Sequence, residues 1–150
     1  MRPRRSPTIE SPAVSDDEDL GALFARITRR LIDEERPILA AHGLSMWEYI
    51  VLSELGRGAA KTQLALAEAI GYDKTRLIGL LDKLQEEGLI AREPDPADRR
   101  ARRVRLTDAG RERHAAVRAD IRAMEEQFLA GLAGARREGL REVLGALASR

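Results

Sequence analysis

The chain has no cysteine among its 150 residues, which excludes disulfides, thiolate metal ligands and cysteine-based redox sensing within it and fits a reducing compartment. Histidine is nearly as scarce. His42 and His114 stand far apart, and no H-E-x-x-H helix, nucleophile-base pair or phosphate-cradling glycine loop is present, so the expectation is a protein without catalytic residues, metal or cofactor. Carboxylates are plentiful, but those at helical spacing with Lys or Arg read as surface pairs. Aromatic residues make up only 3% of the chain, with a single tryptophan, Trp47. No apolar run reaches membrane-spanning length, and the opening MRPRRSPTIESPAV has basic residues without the apolar stretch of a signal peptide; a soluble cytoplasmic protein with no membrane partner is expected.

The length suits one domain, or one domain with a helical extension, and suffices to bury a core. The formal net charge is only +1, yet it is unevenly spread: Asp16 to Asp19 make the front acidic, whereas Arg99, Arg100, Arg102, Arg103 and Arg105 follow one another with no acid between them. Five guanidinium groups in seven residues repel one another, and gathering them favours a polyanion opposite. Nucleic acid is the first candidate.

Residues 1–14 carry three prolines and three arginines without periodicity and read as a disordered tail, with a groove-reaching arm as the alternative. Ser15 and Glu18 have capping-box spacing, so order is expected from residue 15. Leu20, Phe24, Ile27 and Leu31 fall at helical spacing, giving a long helix to about Ala41, bent by Pro37 and ended by Gly43. Ser45 with Glu48 is a second capping box and opens a helix that stops at Gly56. Thr62 caps a third, short helix with Leu64, Leu66 and Ala67 on its apolar face and Gly71 at its end. Asp73 caps the fourth, where Leu77, Leu80, Leu81 and Leu84 form a buried stripe. Two short helices joined by a glycine turn make a helix-turn-helix.

The period then changes. Leu89 to Glu93 and Arg102 to Leu106 read as two short strands around the turn PDPADRRA, which makes a two-stranded wing. Thr107 caps a fifth helix running through Val117, Ile121, Met124, Phe128 and Leu132 and interrupted by Gly131 and Gly134. A last helix aligns Leu140, Val143, Leu144 and Leu147. The fold class is therefore mainly α, α+β by virtue of the wing: a winged helix-turn-helix head, residues 45–111, between helical dimerisation regions at 15–44 and 112–150.

A groove-sized helix whose first turn carries Lys74, Thr75 and Arg76 can read base edges in the major groove of duplex DNA, and Lys83 can meet a phosphate. A solvated helix face accounts equally well for these four residues taken alone. The wing is the stronger signal, because arginine suits a narrow minor groove and Asp98, two residues before Arg100, is placed to hold its guanidinium. Thr62, Gln63, Arg99 and Arg103 complete the expected DNA-facing set.

The stretch GLIAREPDPADRRARRVRLTDAG, residues 88–110, resembles the wing signature of the MarR family of transcription regulators: a glycine-aliphatic start, a D-x-R tip and an L-T-x-x-G exit. GLSMWEYIVLSEL and TQLALAEAIGYDKTRLIGLLDKLQEEG are similar to that family's second helix and helix-turn-helix, and the likeness covers nearly the whole chain outside the tail. The resemblance implies a homodimer on a pseudo-palindromic double-stranded DNA operator, acting as a repressor released by a small-molecule effector. It implies Arg100 as the minor-groove arginine with Asp98 as its orienting partner. It also implies an effector pocket between the dimer helices and the head, lined by Phe24, His42, Trp47 and Ile50. The family's peroxide sensors use a cysteine, which this chain lacks. Dimerisation has its own physical basis, since apolar stripes outside a small head gain roughly 25 cal/mol per Å² when a second chain covers them. The remaining alternative is a dimeric helical module whose winged head binds protein.

Overall fold

In the computed structural model, which describes residues 19–58 and 61–149, six helices surround a small sheet in the order α1 (Leu20–Ala41), α2 (Met46–Gly56), β1 (Lys61–Thr62), α3 (Gln63–Ile70), α4 (Lys74–Glu86), β2 (Ile90–Pro94), β3 (Arg102–Leu106), α5 (Asp108–Phe128) and α6 (Gly134–Ala148). Side chains set the start of most helices. Asp19, Thr62, Asp73 and Thr107 each accept a hydrogen bond from a first-turn amide, and Ser45 with Glu48 forms the full capping box. The expected Ser15–Glu18 box and the tail lie outside the described residues.

The sheet is antiparallel with β3 in the middle, and it has three strands where the sequence suggested two. The extra strand is β1, whose Lys61 and Thr62 pair with Val104 and Arg103. On the other side β2 runs in register from Ile90 opposite Leu106 to Pro94 opposite Arg102. A two-residue strand has too little alternation to stand out, yet it anchors the start of α3 to the wing.

One core joins these elements. Leu39 of α1, Val51, Leu52 and Leu55 of α2, Leu66 of α3, Leu77, Leu81 and Leu84 of α4, Leu89, Val104 and Val117 are all buried. The α4 stripe is as expected, with Leu80 partly buried at its margin. Leu64 departs from expectation: it is 55% exposed, because the short α3 buries only Leu66 and Ala67. The fifth helix also ends sooner, at Phe128, and Leu132 belongs to the turn into α6. Arg137 and Arg141 bind Glu126 and Glu125 at 3.1 Å each, which fastens α6 to α5.

The exit from the wing shows why an L-T-x-x-G sequence is needed. Thr107 Oγ1 donates to the Gly88 carbonyl at 2.6 Å and accepts from the Gly110 amide at 3.0 Å, while the Thr107 amide donates to the Leu89 carbonyl at 3.1 Å. These bonds draw α5 against the start of β2. A Cβ at position 110 would lie 1.9 Å from the Leu89 carbonyl oxygen, so only glycine permits that approach.

Candidate nucleic-acid interface

The turn between α3 and α4 is set by Gly71, which sits in the left-handed region at φ 63°, and by the Tyr72 amide donating to the Ala67 carbonyl at 2.9 Å. Asp73 Oδ1 then accepts from the Arg76 amide at 2.9 Å, committing that carboxylate to capping. Lys74, Thr75 and Arg76 are left exposed on the first turn of α4. Thr62 accepts from the Ala65 amide at 3.1 Å, and Gln63 opens α3 beside it.

Lys83 has a partner within the protein. Its Nζ lies 2.6 Å from Glu48 Oε1, and the other Glu48 oxygen accepts from the Ser45 amide at 2.6 Å. Glu48 is only 2% exposed. Burial alone would raise its pKa, but the hydrogen bonds from Lys83 and Ser45 outweigh burial and hold it below the usual carboxylate value; Glu48 in turn raises the pKa of Lys83. Glu48 therefore couples the start of α2 to α4. Lys83 is half-exposed, so an ammonium proton remains for a phosphate, yet its first contact is structural.

The wing divides its arginines into two groups. Arg103 Nε lies 3.2 Å from Asp95, which is 6% exposed and also accepts from the Ala97 amide. Arg105 binds Glu93 at 2.9 to 3.0 Å across the hairpin, and Arg92 reaches back to Asp82 and Gln85 of α4 at 2.5 and 2.6 Å. Arg99, Arg100 and Arg102 are exposed and pair with no carboxylate among the described residues. Asp98 acts otherwise than expected: its Oδ1 accepts from the backbone amide of Arg100 at 2.9 Å, so it shapes the tip rather than clamping the guanidinium. The Asp95 amide donates to the Ala101 carbonyl and the Ala101 amide to the Asp98 carbonyl, both at 3.0 Å, which closes the loop.

A groove runs between the start of α3, the end of α4 and the wing. A cavity of about 320 Å³ there is lined by Gln63, Gln85, Arg92 and Arg102. Sequence reasoning missed Asp95 and Arg92, because their partners lie across the hairpin or on another element. An Asp two residues before an amide-bearing loop position was the available clue for Asp95.

The four residues expected to line an effector pocket sit on α1, its C-terminal cap and α2. Phe24 is exposed on α1, and Ile50 is half-buried on α2. His42 Nε2 lies 2.6 Å from Asp120 Oδ2 of α5, and its carbonyl accepts from Arg113 at 2.7 Å. Trp47 packs on Tyr72 with ring centroids 4.4 Å apart. The second histidine, His114, has Nε2 3.0 Å from Ser53 Oγ, and burial followed by nearby Arg118 pushes its pKa down. Among the described residues no group of three or more His, Cys, Asp or Glu could hold a metal ion, and no helix is long and apolar enough to cross a membrane.

A glycine-hinged helix pair, a three-stranded wing with an arginine tip and flanking helices together define a winged helix-turn-helix protein of the kind built around a nucleic-acid reading head. The family model described as MarR family, whose members are transcriptional regulators, matches residues 42–101, from the end of α1 through the helix-turn-helix to the wing tip. Solved structures agree along the length of the chain. It is similar to a MarR-family transcriptional regulator from Rhodococcus sp. RHA1, with 29% identity, a TM-score of 0.77 and coverage of 92% of this chain and 96% of that one. It is also similar to CouR from Rhodococcus jostii RHA1 bound to p-coumaroyl-CoA, with 29% identity, a TM-score of 0.71 and coverage of 92% and 96%. The transcriptional repressor CouR bound to a 23-mer DNA duplex matches with 27% identity, a TM-score of 0.73 and coverage of 86% and 92%.

Proposed function

We propose that the chain is a sequence-specific regulator that binds a pseudo-palindromic duplex operator as a homodimer and represses until a small organic effector releases it. One observation carries the reading: Lys74, Thr75 and Arg76 on a groove-sized helix stand with Arg99, Arg100 and Arg102 on the adjoining wing, the wing arginines without carboxylate partners among the described residues, whereas the neighbouring Arg92, Arg103 and Arg105 are neutralised. A fold needing charge only for solubility would have no reason to pair one set and leave the other open. The solved relative CouR, bound to a DNA duplex in one structure and to p-coumaroyl-CoA in another, supports the DNA and effector parts.

The dimer part is supported by apolar side chains that the head cannot cover. Leu20, Phe24 and Ile27 on α1 and Leu140, Val143, Leu144 and Leu147 on α6 are all exposed in the single chain. Residues 15–44 and 112–150 would form the shared base and 45–111 the head. A two-fold base then sets two heads about one DNA turn, roughly 34 Å, apart. Selection of bound duplexes from a random pool tests this reading. A palindrome with half-sites one turn apart is the expected product; a pool that stays unenriched contradicts it.

A further inference from the structure

Ile78 is 47% exposed in the middle of α4. The other exposed large apolar side chains among the described residues fall mainly on α1 and α6, and Trp47 closes on Tyr72; Leu64 and Ile78 remain, both in the helix-turn-helix. A single exposed aliphatic residue is ordinary on a protein surface, so its surroundings decide what it does. Ile78 follows Lys74 by four residues and Thr75 by three, and therefore shares their flank of the helix. Between the capping Asp73 and Glu86, at the helix end, the only acid is Asp82, and Arg92 binds it. Gly79 next to Ile78 has open space where a Cβ would stand. The flank thus offers a cation, a hydroxyl, an aliphatic surface and bare backbone, with no open carboxylate to repel a phosphate.

Among the groups that base pairs display in the major groove, the 5-methyl of thymine is the one apolar feature, and aliphatic side chains recognise it by contact. We infer that Ile78 is a specificity-determining residue that packs against a thymine methyl in the major groove, one in each half-site. The inference rests on the reading of the head as a duplex binder. It assigns the apolar component of base reading to a residue one turn beyond the polar set Lys74, Thr75 and Arg76.

The test uses the full chain and the operator recovered by selection, with each dT replaced in turn by dU, which removes the methyl and nothing else. At one thymine per half-site the loss of the methyl should weaken binding by about fourfold, and by about fifteenfold when both half-sites are changed. Ile78→Ala should bind the unmodified operator more weakly by a similar factor and be indifferent to that dT to dU change. Because Ile78 is exposed, the variant's melting temperature should match that of the parent. A parent chain indifferent to dU at every position overturns the inference, as does an Ile78→Ala chain that keeps the parent's full sensitivity, or one altered only in its response to a small molecule. If the parent enriches no duplex at all, the reading of the head fails and this inference falls with it. Those two failures are therefore distinguishable.

Discussion

Replacing Gly110 by alanine adds a single methyl group at the third residue of α5, where the Leu89 carbonyl oxygen would lie 1.9 Å from the new carbon. An ordinary contact needs well over 3 Å, so α5 has to retreat from β2 by more than 1 Å. The retreat stretches the Thr107 bonds to the Gly88 and Leu89 carbonyls, now 2.6 and 3.1 Å, and loosens Leu106 and Leu89 in the core. Two hydrogen bonds at about 1 kcal/mol each and an overpacking cost of about 2 kcal/mol give a loss of about 4 kcal/mol. The better helix propensity of alanine offsets roughly 1 kcal/mol. For a chain of this length a net loss of about 3 kcal/mol lowers the melting temperature by roughly 9 °C. Thermal unfolding followed by circular dichroism, with both proteins at one concentration because the midpoint of the proposed dimer would depend on it, reads the shift directly. An unchanged or raised midpoint would refute the account of the wing exit.

Other expectations follow from the same contacts. Glu48→Gln should be less stable than the parent near neutral pH: the folded-state pKa of Glu48 is lowered, so its contribution is present above the ordinary 4.5 and is lost as pH falls through the folded value. Denaturation of the two proteins should converge in acid, and a constant difference down to pH 2 would count against the role given to this carboxylate. His114, with its pKa lowered, resists a proton that the unfolded chain accepts, so stability should decline as pH drops below about 6.5; His114→Gln should flatten that decline. Arg103→Ala strands the buried Asp95 and should cost about 1 to 3 kcal/mol of stability, whereas Arg100→Ala should leave melting unchanged and weaken operator binding by about 1 to 3 kcal/mol per head. Leu144→Glu on the open face of α6 should shift the protein toward single chains in equilibrium sedimentation, and an unaltered mass would remove α6 from the interface.

Local chemistry made much of this fold readable in advance. The caps Ser45, Thr62, Asp73 and Thr107 act within three residues of themselves, so each announces its helix in sequence. Gly71 and the change from helical to alternating spacing near residue 89 place the hinge and the wing by equally short-range rules. What stayed hidden depends on partners distant in sequence. Arg92 finds Asp82 and Gln85, Lys83 finds Glu48, and His42 finds Asp120 only after the helices pack. Five consecutive-looking arginines therefore read as one patch, although the hairpin register removes Arg103 and Arg105 from it. Leu64 misled because an apolar residue on an eight-residue helix need not face the core when two others already fill the contact.

The salt dependence of duplex binding bears most directly on the head. If the protein binds as the proposed homodimer, with Lys74, Arg76 and the three open wing arginines of each subunit within the field of the phosphates, the logarithm of the association constant should fall linearly and steeply with the logarithm of salt concentration. Arg100→Ala, removing one cation from each of two heads, should make that slope shallower by about 2. A parent protein with no affinity for the selected duplex in dilute buffer, or with a slope that Arg100→Ala leaves untouched, would contradict the assignment of this face to DNA.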